Sequence, residues 1–329
     1  MIAKKSFFMG VCRVFLVTLC LLVLSTSAVR AQEFPTHPIR LVSPYPPGGS
    51  TDFLARVVAT GMSETLGQPV VVDYKTGANG SIAAQEVARA APDGYTILLV
   101  GSGAMTINES LYKNLPYDSS KDFAPLTVAV RMPLVVIANP ASPFKTMEDI
   151  VAAAKENPGT LSCGTGGIGT EQHLALELFN KSVGADILHV PYRGGAPAIG
   201  DLMGGRIDLM FMQVPGALAQ LQAGKVRAIA VTSSKRSATL PDVPTMAESG
   251  FPGRDAESWY GFVMPARVPA EIGQRLYQSI VSSLKASTDQ LTQNGFEIDG
   301  GTPEAMAQII HDESAMWATV IKEAKIKID

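Results

Sequence analysis

Glycine, serine, asparagine and arginine recur in this chain at one kind of place, directly after a short apolar run and directly before a helix-like stretch. The fullest case is Pro44-Tyr45-Pro46-Pro47-Gly48-Gly49-Ser50-Thr51-Asp52, which follows Ile39-Arg40-Leu41-Val42-Ser43 and precedes Phe53-Leu54-Ala55-Arg56. Such a junction leaves backbone N–H groups unpaired at the positive end of a helix dipole, so its chemistry is anion capture. Tyr45, Gly48, Gly49, Ser50 and Asp52 are the candidates here. The prolines fix the approach, the glycines let backbone come close to a ligand, and Ser50 or Thr51 caps the helix. Asp52 and Arg56, four apart, are placed to pair with each other. Taken alone, the loop reads equally well as a proline-ordered turn before a capped helix.

Further junctions repeat the pattern. Thr76-Gly77-Ala78-Asn79-Gly80-Ser81 offers Asn79 and Gly80, both tolerant of left-handed backbone, and Gly101-Ser102-Gly103 offers Ser102. Gly164-Thr165-Gly166-Gly167-Ile168-Gly169 satisfies G-x-G-x-x-G and offers Thr165, Gly166, Gly169 and Thr170. A dinucleotide site needs an acid at the end of the next strand, yet Asp186 precedes Ile187-Leu188-His189-Val190 and the run ends in Pro191-Tyr192-Arg193. The loop is therefore read as another anion nest, with no cofactor. Arg193, in Val190-Pro191-Tyr192-Arg193-Gly194-Gly195, is either a bidentate partner for a carboxylate or a solvated rim residue.

Other chemistries lack their residues. There is no G-x-S-x-G elbow, no Walker-type loop and no H-E-x-x-H, and the histidines are His37, His173, His189 and His311. His173 either faces the ligand or bonds to its own backbone in the first turn of a helix. An exported enzyme using His173 and Asp208 as acid and base is the rival reading, and it has no visible nucleophile or metal.

These junctions need elements to hold them. Lys4, Lys5 and Arg13, the apolar stretch 14–24 and Val29-Arg30-Ala31 form a signal-peptide pattern with cleavage expected after Ala31. Cleavage removes four of the 27 basic residues and none of the 30 acidic ones, taking the formal charge from −3 to −7. No basic run is present, which excludes nucleic acid as a partner. Cys12 and Cys20 leave with the signal, so Cys163 stands alone and no internal disulfide supports the exported fold.

Strands are expected over 39–43, 70–74, 96–100, 134–138, 161–163, 187–190, 209–211, 228–231 and 260–264. Helices are expected over 51–66, 81–90, 147–156, 171–182, 196–203, 217–223, 270–286 and 303–325. The alternation predicts an α/β fold with mostly parallel sheets flanked by helices, and continuous apolar runs such as Ile97-Leu98-Leu99-Val100 fit strands buried on both faces. In such sheets ligands bind beyond the C-terminal strand ends, where all these loops lie. The extended stretch 126–139 and the return over 226–265 suggest two crossings between two lobes. The division expected is signal 1–31, lobe 1 over 32–134, lobe 2 over 135–235, and crossover and completion of lobe 1 over 236–329.

Over nearly the whole mature chain the sequence resembles the substrate-binding proteins of tripartite tricarboxylate transporters, the Bug-type receptors. The resemblance lies in the Pro44–Asp52 loop with Ala55-Arg56, in Ala91-Pro92-Asp93-Gly94-Tyr95-Thr96, in His189-Val190-Pro191-Tyr192-Arg193-Gly194, and in Ala230-Val231-Thr232-Ser233 through Leu240-Pro241-Asp242-Val243-Pro244-Thr245. It implies a type II periplasmic-binding fold whose lobes close on a small di-, tri- or aromatic carboxylate held by amides, hydroxyls and waters. It also implies a monomer in the periplasm that delivers to membrane subunits; a receptor feeding a signalling system is the other use of such a protein. Carried over, the binding positions are Tyr45, Gly48, Gly49, Ser50, Asp52, Asn79, Gly80, Thr165, Gly166, Gly169, Thr170, His173 and Asp208. Phe53 and Met105 are either an apolar wall of the site or core. Thr76-Gly77-Ala78-Asn79-Gly80 stands where members often have Pro-Gly-Ala-Gly-Gly, and Cys163-Gly164-Thr165 where they often have Tyr-Gly-Ser, which are positions that set selectivity.

Overall fold

A computed structural model describes residues 34–252 and 256–326, so the expected signal peptide and its cleavage site lie outside the described residues. The chain divides at Thr36 into Met1–Thr36, of which only 34–36 are described, and His37–Asp329, which holds every element named below.

In chain order the elements begin β1 (Ile39–Ser43), α1 (Ser50–Leu66), β2 (Val70–Tyr74), a short turn of helix Ala78–Gly80, α2 (Ser81–Ala88) and β3 (Thr96–Gly101). A wide π-type turn Gly103–Ile107 leads into α3 (Asn108–Leu111) and the long β4 (Phe123–Ala138). Then follow α4 (Met147–Glu156), β5 (Ser162–Thr165), α5 (Glu171–Val183), β6 (Leu188–Pro191), α6 (Gly195–Met203), β7 (Leu209–Gln213), α7 (Val214–Gln222) and β8 (Arg227–Val231). The chain closes with β9 (Glu257–Pro265), α8 (Ala270–Ala286), α9 (Thr288–Gln293), β10 (Glu297–Ile298) and α10 (Pro303–Glu323).

The strands run in the order β2-β1-β3-β9-β4-β7-β5-β6, with β10 and β8 also on β4. Two parallel runs, β2-β1-β3 and β6-β5-β7, are joined by strands that run antiparallel to their neighbours, so the sheet is mixed. β4 belongs to both halves: residues 123–133 pair with β9 and 134–138 with β7 and β8. The stretch read from sequence as extended, with a strand only at its end, is thus one strand of 16 residues.

Alternation along a strand sends successive side chains to opposite faces. Leu134, Val136 and Ala138 enter one core with Leu209 and Phe211 of β7, where α5 contributes Leu174 and Phe179. Val135 and Ile137 enter another with Met210 and Met212, covered by Ala198, Ile199 and Leu202 of α6. A strand sandwiched in this way must be apolar without interruption, which is what these runs show. A third core lies in the other half of the sheet, around Val42, Leu98, Val100, Trp259 and Met306. Cys163 is buried, and burial pushes its thiol up to about 12, so it packs as a small apolar side chain.

Candidate functional site

The loops that end β1, β2, β5, β6 and β7 meet around one cavity of about 610 Å³. Its wall includes Gly48, Gly49, Ser50 and Thr51 at the start of α1, Thr170, Glu171 and Gln172 at the start of α5, Gly194, Gly195 and Ala196 at the start of α6, and Gln213, Pro215 and Gly216 at the start of α7. Four helices therefore direct their positive ends to the same space. Of the four, α1, α6 and α7 have no side-chain cap, while α5 is capped by the Thr170 hydroxyl, which accepts from the His173 amide. Uncapped amides keep their hydrogen-bonding capacity for a guest. Arg193 lines the same cavity, exposed, and among the described residues no carboxylate pairs with it.

Why the first loop holds its shape follows from Asp52. Its buried carboxyl accepts the Gly48 amide at 2.8 Å, Arg56 Nε at 2.9 Å and the Tyr74 hydroxyl. Burial opposes the charged form, but these three donors outweigh it and hold the carboxyl below its usual range. Gly48 has φ +93°, a left-handed value that a side chain resists. Asp52 thus faces the back of the loop and sets it, which is a role behind the cavity wall and not on it. Asp52→Asn is expected to lower stability by about 2 kcal/mol, since hydrogen bonds to a charged group become neutral ones. An unchanged urea midpoint would overturn that role.

Asn79 adopts the left-handed backbone that its sequence pattern predicts, with φ 48°, and lines the cavity. Its Nδ2 donates to Gly169 O at 3.2 Å, tying the turn after β2 to the loop after β5. A second tie lies deeper. Glu171 Oε1 accepts the Ser102 hydroxyl at 2.6 Å and the Gly103 amide at 2.7 Å, so the nest at the end of β3 is already filled by a carboxylate of this chain. Tyr45 and Tyr260 stand with ring centres 6.0 Å apart at the cavity. Burial raises both phenols, Tyr260 to about 12, so both stay neutral.

The structure therefore brings Tyr45, Gly48, Gly49, Ser50, Asn79, Gly166, Thr170 and Arg193 together on the cavity. It places the other candidates elsewhere. Phe53 stacks on Phe296 at 6.2 Å, Met105 is core, and Gly80 is buried as the cap of α2. Ser102 is taken by Glu171, and Gly169 gives its carbonyl to Asn79 and its amide to His173 Nδ1. Thr165 bonds His189 Nε2 at 2.7 Å, and the His189 ring stacks on His173 at 3.8 Å. Burial first, then His173, pushes His189 down to about 4. Asp208 accepts from the Ser162 amide and hydroxyl, so it and His173 form no acid–base pair on the cavity. Sequence reasoning missed Glu171, Gln172, Ile199, Met212, Gln213 and Tyr260, which lie in helix turns just past the loops or within strands and not in the glycine-rich loops themselves. Among the described residues no cluster of His, Cys, Asp or Glu suits a metal, and no helix is long and apolar enough to cross a membrane.

A mixed sheet with helices on its faces and a cavity lined by helix starts beyond the strand ends defines the class of the type II periplasmic-binding proteins. The family model described as tripartite tricarboxylate transporter family receptor matches residues 54–326, and the chain belongs to that family. It is 36% identical to protein BugT of Bordetella pertussis, over 91% of this chain and 93% of that one. Among solved structures, R. palustris Rpa4515 with adipate matches at a TM-score of 0.85 and 36% identity, over 90% of this chain and 99% of that one. MatC from Rhodopseudomonas palustris with bound malate matches at 0.80 and 31% identity, over 88% of this chain and all of that one.

Proposed function

We propose that this protein is an extracytoplasmic solute-binding receptor that captures a small organic carboxylate and hands it, unchanged, to the membrane subunits of a tripartite tricarboxylate transporter. The observation that carries the reading is the meeting of four helix N-termini and Arg193, unpaired among the described residues, on one cavity, with Glu171, the one acid among the described residues on its wall, already engaged by Ser102 and Gly103. Amides of Gly49, Ser50 and Thr51 would hold one carboxylate, with Asn79 and Thr170 flanking it. Arg193 and the amides of Gly194 to Ala196 would hold a second, as the adipate and malate of its neighbours suggest. Asp52, Gly80, Ser102, Gly169 and His173 act behind the wall as supports. Residues 32–134 and 236–329 form one lobe and 135–235 the other, closing on the ligand, with Asn79–Gly169 as a contact between them. The mature protein, cleaved after Ala31, works as a periplasmic monomer. Its mechanism is binding alone, since His173 and Asp208 stand apart from the cavity.

Two or three charge-assisted hydrogen bonds of about 1.5–3 kcal/mol each account for most of the ~8 kcal/mol of a micromolar complex. A thermal-shift and calorimetric screen over acetate, succinate, malate, glutarate, adipate, citrate and benzoate tests the reading. At a tenfold excess over Kd, the right acid stabilises the fold by about 1.4 kcal/mol. Arg193→Ala is expected to weaken a dicarboxylate by about tenfold while sparing a monocarboxylate. Absence of both binding heat and a Tm shift with every one of these acids would refute the proposal.

A further inference from the structure

Among the described residues two buried side-chain polar atoms have no hydrogen-bond partner, Gln172 Oε1 and Trp317 Nε1. Trp317 belongs to a core cluster, but Gln172 is on the cavity wall. Gln172 is only 5% exposed, and its Nε2 donates to Gln213 Oε1 at 2.6 Å, so its amide is held in place from the end of β7. What lies over Oε1 is Gly166, also on the cavity wall: a Cβ added there would stand 3.7 Å from Oε1. Close by on the same wall, Ile199, Met212 and Pro215 supply apolar surface.

A buried acceptor left unmatched is a cost that a guest can remove. Resting on the carboxylate-capture reading, we infer that Gln172, clamped by Gln213, is a subsite for a hydroxyl on the carbon chain or ring of the bound carboxylate. A hydroxyl can donate to Oε1. It also suits the alternative in which both amides turn over together, since the Gln172–Gln213 bond then survives with its direction reversed and presents an N–H for the hydroxyl oxygen to accept. A methylene satisfies neither arrangement. Sites built to pair a buried polar group discriminate against analogues that lack the matching group far more strongly than apolar pockets discriminate by size. The carbon chain, lying on Ile199, Met212 and Pro215, would then be read for its hydroxyl while the helix ends read its charge.

The test is isothermal titration of the protein with succinate and malate, glutarate and 2-hydroxyglutarate, and benzoate and 3-hydroxybenzoate. The hydroxylated member of at least one pair should bind at least tenfold more tightly, and Gln172→Met, similar in length but without the amide, should reduce that preference to twofold or less. Gly166→Ala, at a position without a positive φ, leaves the glutamine pair intact and places a methyl group against Oε1, where the hydroxyl would have to sit. It should erase the preference too, and it serves if the methionine variant does not fold. Equal binding within every pair overturns the subsite, as does a preference that survives either variant. Binding of acids without a hydroxyl preference sinks only this inference, whereas binding of no acid at all sinks the capture reading and the subsite with it.

Discussion

Glu313→Gln is expected to raise the stability of this protein by about 3 kcal/mol at pH 8 while changing it little near pH 4.5. Glu313 lies on α10, where its Oε2 accepts the Trp259 indole N–H at 2.8 Å and the Thr106 hydroxyl at 3.5 Å. Burial pushes its carboxyl up to about 7; the Trp259 bond and the charge of Arg131 pull it back, and Glu171 pushes it further up. A carboxyl whose folded value stands above its ordinary 4.5 is stabilised in its protonated form, so its contribution is complete below 4.5 and is lost as pH rises through 7. A displacement of that size, at 1.36 kcal/mol per unit, gives the figure of about 3 kcal/mol. Glutamine keeps an acceptor for Trp259 and cannot ionise.

His189 works with the opposite sign. Held down at about 4 from its usual 6.5, it stabilises the fold above 6.5 and withdraws that contribution as pH falls through 4. The two groups therefore offset each other over most of the mildly acidic range, and the natural protein should show a flat profile there. The glutamine variant should uncover the histidine slope, with stability climbing from pH 4 to 6.5. Urea midpoints at four or five pH values decide it, and parallel profiles for the two proteins would mean that Glu313 ionises without cost.

Much of the fold was legible because its strands are short apolar runs ending in glycine or proline, and parallel strands buried on both faces have little choice of residue. The limits came where that rule bends. β4 contains Pro125 and Pro133, which normally argue against an inner strand, and its register with β9 shifts between Pro125 and Thr127 and again between Val128 and Val130. These irregularities let one strand serve both halves of the sheet, and they hid it. The two-residue β10 and the short α3 and α9 are below the length at which periodicity can speak.

The cavity was legible for the same reason as the strands, and illegible where a junction lacks glycine. Gly48, Gly49, Asn79, Gly166 and Thr170 announce themselves by turn chemistry after a strand. Gln213 does not: β7 passes into α7 through Gln213-Val214-Pro215 with the proline inside the first turn, so this helix end reads as apolar chain. Gln172 is two residues past a recognisable cap, and nothing in its type says which way an amide in the first turn points. Ser102 was read as a free donor because the sequence cannot show that Glu171, 69 positions later, reaches it.

That reach makes the second large prediction. Glu171 is buried at the first turn of α5, where its charge suits the helix end, and it satisfies the buried Ser102 hydroxyl and Gly103 amide together. Glu171→Ala leaves two buried donors without an acceptor, each at about 1–3 kcal/mol, so a loss on the order of 3 kcal/mol is expected. Glu171→Gln keeps an oxygen in the same place and should lose only about 1 kcal/mol, the difference between a charge-assisted and a neutral pair. The alanine variant also removes one methylene and one carboxylate, which are the parts of acetate, and leaves the nest that held them. Acetate or formate should therefore raise the Tm of Glu171→Ala by more than that of either the natural protein or Glu171→Gln, in which the nest stays filled. If acetate acts alike on all three, the nest at the end of β3 does not survive the loss of its internal carboxylate. In that case Glu171 shapes Ser102 and Gly103 as well as occupying them, and the β3 loop is a product of its partner on α5.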